Sequence, residues 1–391
     1  MARLGDIATV ITKGTTPTSI GFTFQNEGIN FVKIESVDET GNFICDKFDH
    51  ISADCHKKLK RSQLQENDIL FSIAGAIGRT AIVTKDILPA NTNQALAIIR
   101  IPQGIINYSF LLYILQSSVV LEQAEKKKQG VAQLNLSLKD IGDFIIPDIP
   151  LAEQQEIVDN LNKVSNLISL RKQQLSKLDE LVKSRFIEMF GNLVIGDKIS
   201  ENKHKVGEIA SVTKLAGFEF TKYIQYKEQG DIIMLRGLNC KKGHLVLDDI
   251  KWIDKETSDL LPRSKLYYGD ILMTYAGTIG DVAMVDADNK YHLAPNVAKI
   301  TLTDKMAYNP VFVIHLFMYT NDYIMTFASV VAQASINMEK IRNFEYYFPS
   351  AAQQNEFAAF VEQTDKSKFE IQQSLEKLET LKKALMQKYF G

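Results

Sequence analysis

The segment NDILFSIAGAIG at Asn67–Gly78 returns as GDILMTYAGTIG at Gly269–Gly280, and this repetition decides the fold. The earlier segment GDIATV at Gly5–Val10 returns in the same way as GEIASV at Gly207–Val212. Both pairs are separated by about 200 residues in a chain of 391, so one half of the chain repeats the other. Because two copies are too few for a solenoid, the sequence predicts one module that occurs twice.

Each copy ends in a stretch with the composition of a long helix. None of the nine prolines lies in 151–192 or 350–391, and the only glycines there are Gly191 and Gly391. Proline costs about 3 kcal/mol and glycine about 1 kcal/mol inside a helix, so their absence predicts two long helices. Each stretch opens near a glutamine pair and closes with Phe-Gly, at Gln154-Gln155, Gln353-Gln354, Phe190-Gly191 and Phe390-Gly391.

Apolar residues in both stretches follow the alternating four-three spacing of a heptad repeat. In the first stretch they are Ile157, Leu161, Val164, Ile168, Leu175, Leu178, Val182 and Met189. In the second they are Phe357, Val361, Ile371, Leu375, Leu378, Leu385 and Tyr389. A heptad stripe sustained over about four repeats predicts a coiled coil, and these residues are its predicted interface. If the two helices pair antiparallel, the two domains are related by a pseudo-twofold axis.

The remaining sequence predicts two similar domains of mixed α/β (α+β) structure, at 1–150 and 193–349. Short β-rich runs separated by Gly, Asn and Asp predict strands at Asn30–Ile34, Asp68–Ser72 and Ala95–Arg100. Ser109–Gln129 is predicted to be one helix that ends at Gly130, and its counterpart is Pro310–Ala328.

The composition places the chain among ordinary globular proteins. It is 45% hydrophobic and 24% charged, and 45 Lys+Arg against 47 Asp+Glu give a formal net charge of −2. Three cysteines, none in a Cys-x-x-Cys motif, predict no disulfide framework. We see no signal peptide and no run of about 18 apolar residues, which predicts a cytoplasmic protein without a membrane span. Any binding of DNA by a chain this close to neutral requires local patches of positive charge.

No motif in the sequence predicts catalysis. Asn309–Phe312 differs by one residue from the Asn-Pro-Pro-Phe of amino-methyltransferases, but Pro310 at the start of an apolar helix is ordinary. Gly75–Thr80 lacks the spacing and the lysine of a phosphate-binding loop, and a turn between strands explains it better. Cys55-His56 is too isolated to predict a metal site.

Two similar domains joined by paired helices suit a bipartite target on DNA. The stripe over 157–189 spans roughly 50 Å at 1.5 Å per residue. Domains held at that scale can reach DNA half-sites whose centres lie about 34–36 Å apart. Because the halves differ outside their shared blocks, the predicted target is asymmetric, with an unread spacer between two half-sites.

The doubled order of these blocks resembles the specificity (S) subunit of type I restriction-modification systems over essentially the whole chain. The resemblance implies two target recognition domains, 1–150 and 193–349, and helical spacers at 151–192 and 350–391 that form an antiparallel coiled coil. It implies a non-catalytic chain that binds double-stranded DNA and docks two adenine-methylating modification subunits, which restriction subunits join. No cofactor is expected in this chain, since AdoMet belongs to the modification partner and ATP and Mg to the restriction partner. The expected location is the cytoplasm of a bacterium or archaeon.

Base edges and phosphates are contacted mainly by polar and basic side chains, which loops often carry. The candidate DNA-binding residues of the first domain are Lys13, Thr15, Thr16, Asn91, Asn93, Gln94, Lys127, Gln129, Gln133 and Asn135. Those of the second domain are Lys214, Phe218, Arg236, Tyr275, Asn296, Gln333 and Asn337. Asn93 and Asn296 align within about one residue, which also fits a shared framework role.

Two other functions remain open at this point. A coiled-coil adaptor could present two protein-interaction domains, and the salt dependence of DNA binding would separate it from a DNA-specificity subunit. A solitary methyltransferase would have to bind AdoMet itself.

Overall fold

The computed structural model describes residues 1–127, 135–199, 203–329 and 334–391. The chain forms two compact units. Unit 1 comprises Met1–Lys172 together with Gln373–Gly391, and unit 2 comprises Gln173–Gln372. Unit 1 is therefore built from two separate parts of the sequence, whereas unit 2 is continuous.

Unit 1 contains nine strands among its described residues: β1 (Ala2–Arg3), β2 (Val10–Lys13), β3 (Ile29–Val32), β4 (Asp49–Ile51), β5 (Ile69–Ser72), β6 (Thr80–Ile82), β7 (Ala90–Thr92), β8 (Leu96–Arg100) and β9 (Ile145–Ile146). Its α-helices are α1 (Leu4–Ile7), α2 (Ala53–Lys58), α3 (Tyr108–Leu115), α4 (Ser118–Lys127), α5 (Leu138–Gly142), the first part of α6 (Leu151–Phe190) and the last part of α13 (Ala351–Phe390). Short 3-10 helices occupy Pro17–Ile20, Ile34–Ser36, Cys45–Lys47, Lys60–Ser62 and Lys85–Ile87.

The centre of unit 1 is an antiparallel sheet in the order β2-β8-β5-β6. A second sheet has the order β4-β3-β7, with β3 and β7 parallel. Alternate residues of β5 are buried on opposite faces of the first sheet. Ile69 and Phe71 pack in a core that includes helix α3, and Leu70 packs in a core with residues of the second sheet. This double burial explains why the repeated Asp-Ile-Leu block reads as a continuous apolar run.

Unit 2 contains twelve strands among its described residues: β10 (Lys203–Lys205), β11 (Ala210–Lys214), β12 (Ile232–Leu235), β13 (Cys240–Lys241), β14 (His244–Leu245), β15 (Lys251–Ile253), β16 (Lys265–Leu266), β17 (Ile271–Thr274), β18 (Val282–Met284), β19 (Tyr291–Leu293), β20 (Val297–Leu302) and β21 (Glu345–Tyr347). Its α-helices are the rest of α6, α7 (Val206–Ile209), α8 (Gly217–Tyr223), α9 (Lys255–Asp259), α10 (Pro310–Tyr319), α11 (Asn321–Met325), α12 (Met338–Arg342) and the first part of α13 (Ala351–Phe390). Short 3-10 helices occupy Gly237–Asn239 and Pro262–Ser264.

Unit 2 repeats the sheets of unit 1 with additions. The sheet β11-β20-β17-β18 corresponds strand for strand to β2-β8-β5-β6. The second sheet gains an edge strand in the order β15-β12-β19-β16, and β13 pairs with β14 in a separate ribbon. The prediction of a mixed α/β chain with two similar domains is confirmed at this level.

The prediction of a single helix over Ser109–Gln129 is wrong. Helix α3 ends at Leu115 and α4 begins at Ser118. The Ser117 hydroxyl donates to the carbonyl oxygen of Ile114 at 2.6 Å, a local bond that competes with helix continuation. The counterpart is likewise divided, into α10 and α11, because Thr320 leaves helical geometry at φ −114°. Gln129 itself lies outside the described residues.

In each unit, segments of α6 and α13 lie side by side and run in opposite directions. In unit 1, Asn160 donates to the Tyr389 hydroxyl at 3.3 Å and Lys172 lies 3.2 Å from Glu379. In unit 2, Arg185 lies 3.0 Å from Glu356 and Lys368 lies 2.7 Å from Asp179. The heptad positions are buried or half-buried along both helices, at Ile157, Leu161, Val164, Ile168, Leu175, Leu178, Val182 and Met189, and at Phe357, Val361, Ile371, Leu375, Leu378, Leu385 and Tyr389.

A buried glutamine joins each long helix to its domain. The Gln154 side chain accepts the backbone N–H of Asn107 at 2.9 Å, and Gln354 accepts that of Asn309 at the same distance. Asn107 and Asn309 are the N-caps of α3 and α10. The equivalent residues are therefore Gln154 and Gln354, one position out of step with the Gln-Gln pairs in the sequence. The residue after Gln354 bonds to the same N-cap. The side-chain oxygen of Asn355 accepts a hydrogen bond from the side-chain amide of Asn309 at 2.8 Å.

The Phe-Gly pairs close the same cores. Phe390 packs on Phe110 with ring centroids 5.6 Å apart in unit 1, and Phe190 packs on Phe312 at 5.1 Å in unit 2. Because Phe110 and Phe312 lie at matching positions of α3 and α10, the end of each long helix covers the same helix of a domain.

Candidate nucleic-acid interface

Lys13 and Lys214 lie at the carboxyl ends of equivalent strands. Lys13 is opposite Ala97 in the β2–β8 pair, and Lys214 is opposite Ala298 in the β11–β20 pair. The chain turns immediately after each lysine. In unit 1 the turn depends on Gly14, because a Cβ there would lie 1.8 Å from the carbonyl oxygen of Thr92. This approach brings the residues after β2 against those after β7.

Several predicted residues of unit 1 meet on one surface. The Thr16 hydroxyl donates to the side-chain oxygen of Gln94, and the Gly14 N–H donates to the Asn93 carbonyl at 3.0 Å. The Arg61 guanidinium lies 3.5 Å from the Thr15 hydroxyl. An adjoining β-bridge pairs Ala74 with the exposed Asn135, and residue 73 is hydrogen-bonded to residue 95. The strand-end surface of unit 1 is defined by its side chains Lys13, Thr15, Thr16, Arg61, Gln94 and Asn135.

Asn91 does not belong to this surface, contrary to the sequence prediction. Its side chain is fully buried, and its amide donates to the carbonyl oxygen of Leu59 at 3.1 Å and to the Ser62 hydroxyl at 2.9 Å. The His56 ring nitrogen contacts the remaining amide oxygen. A side chain whose donors and acceptor are all used inside the core cannot reach a base edge.

Two further predicted residues of the first domain, Lys127 and Asn93, have side-chain partners outside the strand-end surface. The Lys127 ammonium lies 3.7 Å from the carboxylate of Asp143, which is not a residue of the strand-end surface. Asn93 is half-buried, and its side-chain oxygen accepts the Ala95 N–H within the turn. Gln129 and Gln133 lie outside the described residues.

Unit 2 brings together Lys214, Tyr275 and Asn296. The Lys214 ammonium lies over the Tyr275 ring at 5.4 Å from its centroid, and the Tyr275 N–H donates to the Asn296 carbonyl at 3.0 Å. Phe218, on helix α8, is 70% exposed, which is unusual for phenylalanine. The exposed Arg263 lies 3.6 Å from Glu219, the residue after Phe218 on α8. The strand-end surface of unit 2 is defined by Lys214, Phe218, Arg263, Tyr275 and Asn296.

The alignment of Asn93 with Asn296 is wrong by two residues. The hydrogen bond from Tyr275 to Asn296 corresponds to the bond from Ile73 to Ala95, so Ala95 is the counterpart of Asn296. Asn296 has φ +67°, a left-handed conformation that asparagine tolerates better than most residues. Asn93 occupies an earlier position of its turn.

Of the remaining predictions for the second domain, Arg236 and Asn337 have structural partners of their own. Arg236 donates to the carboxylate of Asp249 at 2.7 Å. Asn337 is the N-cap of α12 and accepts the Lys340 N–H at 2.8 Å. Gln333 lies outside the described residues.

Sequence reasoning missed one arginine in each unit. Arg61 and Arg263 lie in equivalent 3-10 helices that pack against β2 and β11. Both belong to a Leu-x-Arg-Ser segment, at Leu59–Ser62 and Leu261–Ser264, with leucine and serine buried and arginine exposed. This repeat was visible in the sequence and could have identified both arginines.

Side chains of β7 and β19 contact backbone carbonyl oxygens of the two Leu-x-Arg-Ser segments. Asn91 holds the Leu59 carbonyl, as described above, and a ring nitrogen of the fully buried His292 lies 3.3 Å from the Leu261 carbonyl. Burial lowers the pKa of His292. The Lys299 ammonium donates to the carbonyl oxygen of Arg263 at 2.8 Å, and burial lowers its pKa too. Buried polar contacts therefore fix the backbone on which each arginine is displayed.

The strand-end surface of each unit therefore offers positive charge and hydrogen-bonding groups. Within the described ranges no three His, Cys, Asp or Glu side chains are placed to hold a metal ion. Of the helices that the structure describes, none combines the length and apolar character needed to cross a bilayer.

The chain matches the family described as "Type I restriction modification DNA specificity domain" at residues 1–180 and 201–383. It is 23% identical over 330 residues to the EcoBI specificity subunit of Escherichia coli, covering 77% of this chain and 69% of that protein. It resembles the S subunit of the type I restriction-modification system of M. genitalium, with a TM-score of 0.52, 14% identity and coverage of 100% and 95% of the two chains. It also resembles a chain from a structure on complex assembly and conformational transition of the type I R-M system, with a TM-score of 0.61, 17% identity and coverage of 99% and 96%.

Proposed function

Because this chain belongs to the family of type I restriction-modification DNA specificity subunits, which recognise DNA and are not themselves catalytic, we propose that each unit reads one half of an asymmetric, bipartite target. The observation that carries this proposal is the strand-end surface, which occurs once in each unit on equivalent strands. Equivalent backbones present the two surfaces, but most of their side chains differ. Two half-sites of different sequence follow from that difference.

The proposal assigns the long helices to a coiled-coil spacer with pseudo-twofold symmetry. Its support is the antiparallel contact of α6 with α13 inside each unit and the burial of the heptad positions there. The domains at 1–150 and 193–349 would then be target recognition domains, with spacers at 151–192 and 350–391.

The same helices are the proposed docking site for two modification subunits. Large apolar side chains remain exposed on them, which is the pattern of a surface that a partner covers. In unit 1 they include Leu167, Leu170 and Leu381, which are 45%, 54% and 45% exposed. In unit 2 Leu181 and Phe369 are 48% and 64% exposed. AdoMet would be bound by the modification subunits, and ATP and Mg by restriction subunits that join them in the cytoplasm.

Methylome sequencing tests the central proposal. The chain is expressed with its modification subunit in a host that lacks other adenine methyltransferases. We expect methylated adenines in one bipartite, asymmetric motif that disappears when either chain is omitted. Replacing 1–150 with the first domain of another specificity subunit should change one half of the motif and leave the other intact. A motif that changes in both halves would contradict the assignment of one half-site to each unit.

The spacer proposal has its own test. A heptad insertion after Lys172 and another after Gln372 would lengthen both helices by about 10 Å without changing the heptad register. We expect the unread spacer to grow by about three base pairs, at 3.4 Å each, with both half-sites unchanged. Insertion of four residues in each helix is the matched control, because it breaks the heptad register. An unchanged spacer in an active complex would contradict the ruler role.

Salt titration separates this function from that of a protein-interaction adaptor. Phosphate contacts make DNA affinity fall steeply as salt rises. An adaptor would bind DNA weakly at every salt concentration and would give no methylated motif with the modification subunit.

A further inference from the structure

The two strand-end surfaces share two positions and differ at the others. Lys13 and Lys214 lie at the same register of equivalent strand pairs. Arg61 and Arg263 lie at the same position of equivalent Leu-x-Arg-Ser segments, and both are exposed. Each 3-10 helix packs against the strand that carries the lysine. Each unit therefore displays one lysine and one arginine from the same two elements.

The other side chains of these surfaces are not shared. Gln94 in unit 1 corresponds to Pro295, and Tyr275 in unit 2 corresponds to Ile73. After the lysine, unit 1 continues into the 3-10 helix Pro17–Ile20, while unit 2 forms α8 with its exposed Phe218.

This division points to a division of labour on DNA. Phosphates are the same in every half-site, whereas base edges differ from one sequence to another. Groups that two readers of different sequences have in common can act on the phosphates, and groups that differ can act on the bases. Arginine and lysine are the side chains best suited to phosphate.

We propose that Lys13 with Arg61, and Lys214 with Arg263, form a phosphate grip in each unit, while the side chains that differ between the units read the half-site sequences. This inference rests on the proposed function. In unit 1, the grip borders a cleft lined by Thr15, Ile20, Lys58 and Arg61, so a third basic side chain lies beside it. Thr16 and Gln94, joined to each other, adjoin it as the base-reading groups.

The grip of unit 2 is partly neutralised in the free chain. Glu219 lies 3.6 Å from Arg263 and also accepts the Ala216 N–H at 3.1 Å. Since a glutamine at 219 can still accept that N–H, Glu219→Gln removes the opposing charge and leaves the hydrogen bond possible. The variant should strengthen the grip of unit 2.

The test uses the complex of the full chain with its modification subunits and the motif found by methylome sequencing. Affinity is measured between about 50 and 200 mM salt, because affinity that depends on phosphate contacts falls steeply over this range. The duplexes carry either the intact motif or one scrambled half-site. We expect Arg61→Ala and Arg263→Ala each to weaken binding of all duplexes by the same factor, about tenfold. Each should also reduce the slope of log affinity against log salt by about 0.9. Glu219→Gln should raise affinity for all duplexes.

Two variants make the result specific. Lys85→Ala removes an exposed charge at the opposite end of β7 and should change neither affinity nor slope. Gln94→Ala should leave the slope unchanged and reduce discrimination against the scrambled first half-site.

Three outcomes count against the inference. A change in the preferred base on Arg61→Ala or Arg263→Ala would identify a base contact instead of a phosphate contact. Affinity and slope as unaffected as in Lys85→Ala would remove both arginines from the interface. Each of these results leaves the proposed function intact, because the wild-type complex still binds its motif. A wild-type complex with no bipartite motif would overturn the proposed function, and the grip with it.

Discussion

In unit 1 the buried carboxylate of Asp68 is held by Arg100, with nitrogen–oxygen distances of 2.6 and 2.7 Å. In unit 2 the equivalent Asp270 is equally buried, but it accepts a hydrogen bond from the Thr301 hydroxyl at 2.6 Å. The repeated Asp-Ile-Leu sequence therefore preserves the carboxylate and its place in the fold, while its side-chain partner has changed. The two units show which positions are fixed by geometry and which are free to exchange side chains.

The same contrast appears where one unit carries histidine and the other does not. His292 of β19 corresponds to Asn91 of β7, since each lies opposite the middle of the parallel neighbouring strand. His315 of α10 corresponds to Tyr113 of α3, and each packs on a long helix. Unit 2 thus contains one buried and one half-buried imidazole, at two places where unit 1 has groups that stay neutral near pH 7.

The largest difference between the units is expected from the phenylalanines that close the long helices. Phe190 packs on Phe186, Phe312 and Phe357, whereas Phe390 packs on Phe110 and Tyr389. Phe190→Ala should lower the free energy of unfolding of unit 2 by about 4–5 kcal/mol, and Phe390→Ala that of unit 1 by about 3 kcal/mol. Hydrogen exchange of peptides from β17 and β5 reads the two units separately. Equal losses would mean that the extra aromatic pairs of Phe190 contribute nothing.

Removing the partner of the buried carboxylate should give the next largest effect. Arg100→Leu leaves Asp68 buried without its cation and should cost unit 1 about 3–5 kcal/mol. Thr301→Val, the matched change in unit 2, removes one hydrogen bond to a charged group and should cost about 1.5–3 kcal/mol. Exchange of β5 and β17 peptides again reports the two effects. No loss of stability on Arg100→Leu would show that Arg100 is dispensable in unit 1.

Acid should destabilise unit 2 selectively, by an amount on the order of 2–3 kcal/mol. Burial lowers the pKa of His315 to about 4, although Asp365 nearby acts in the opposite direction, and burial also lowers the pKa of His292, beside Lys299. Both histidines have a pKa of about 6.5 when unfolded, so the unfolded state takes up protons that the folded state refuses. Stability is full above pH 6.5 and is lost as the pH falls towards 4. Denaturant unfolding followed by Trp252, the single tryptophan and a residue of unit 2, measures this loss.

The residues of unit 1 supply the control for that experiment. His292→Asn with His315→Tyr places the side chains of unit 1 in unit 2 and should flatten the dependence on pH between 7 and 5. If the doubly substituted chain keeps the wild-type dependence, other groups are responsible for the acid sensitivity.

The smallest expected effect concerns the turn before β20. Asn296→Ala places an ordinary residue at φ +67° and should cost about 1 kcal/mol, whereas Asn296→Gly should be nearly neutral. Thermal unfolding measures both. Because Asn296→Gly removes the side chain without straining the turn, a loss of target affinity in that variant assigns the side chain to DNA. If Asn296→Ala costs nothing, the left-handed turn is not a constraint in unit 2.

The features predictable from sequence were those that a repeat or a period records. The duplicated blocks predict two similar domains, and the resemblance that they carry is confirmed by the family match. The break between α3 and α4 could not be predicted, because neither glycine nor proline marks it and a serine hydroxyl makes it. The Gln-Gln pairs were recognised as a repeat, but only packing reveals that Gln154 and Gln354 are the equivalent residues.

The candidate site was harder to predict because exposure depends on distant contacts. Asn91 lies in a polar run that reads like a loop, yet its amide supports Leu59, which is 32 residues away. Conversely, Arg61 lies in a charged stretch that resembles any solvated surface. Its place on the strand-end surface emerges only when β2, the 3-10 helix and the turn after β7 come together.

The composition of unit 1 has a consequence for how the protein is made. Its core includes Phe110 and Phe390, with the half-buried Leu385 packed against it, so it needs residues 373–391 as well as the first 172. All of the 200 residues of unit 2 are synthesised in between. At about 5–20 residues per second, the first 172 residues of unit 1 wait roughly 10–40 s with the face of α3 around Phe110 uncovered. The part that leaves the ribosome first is thus the last to complete its core.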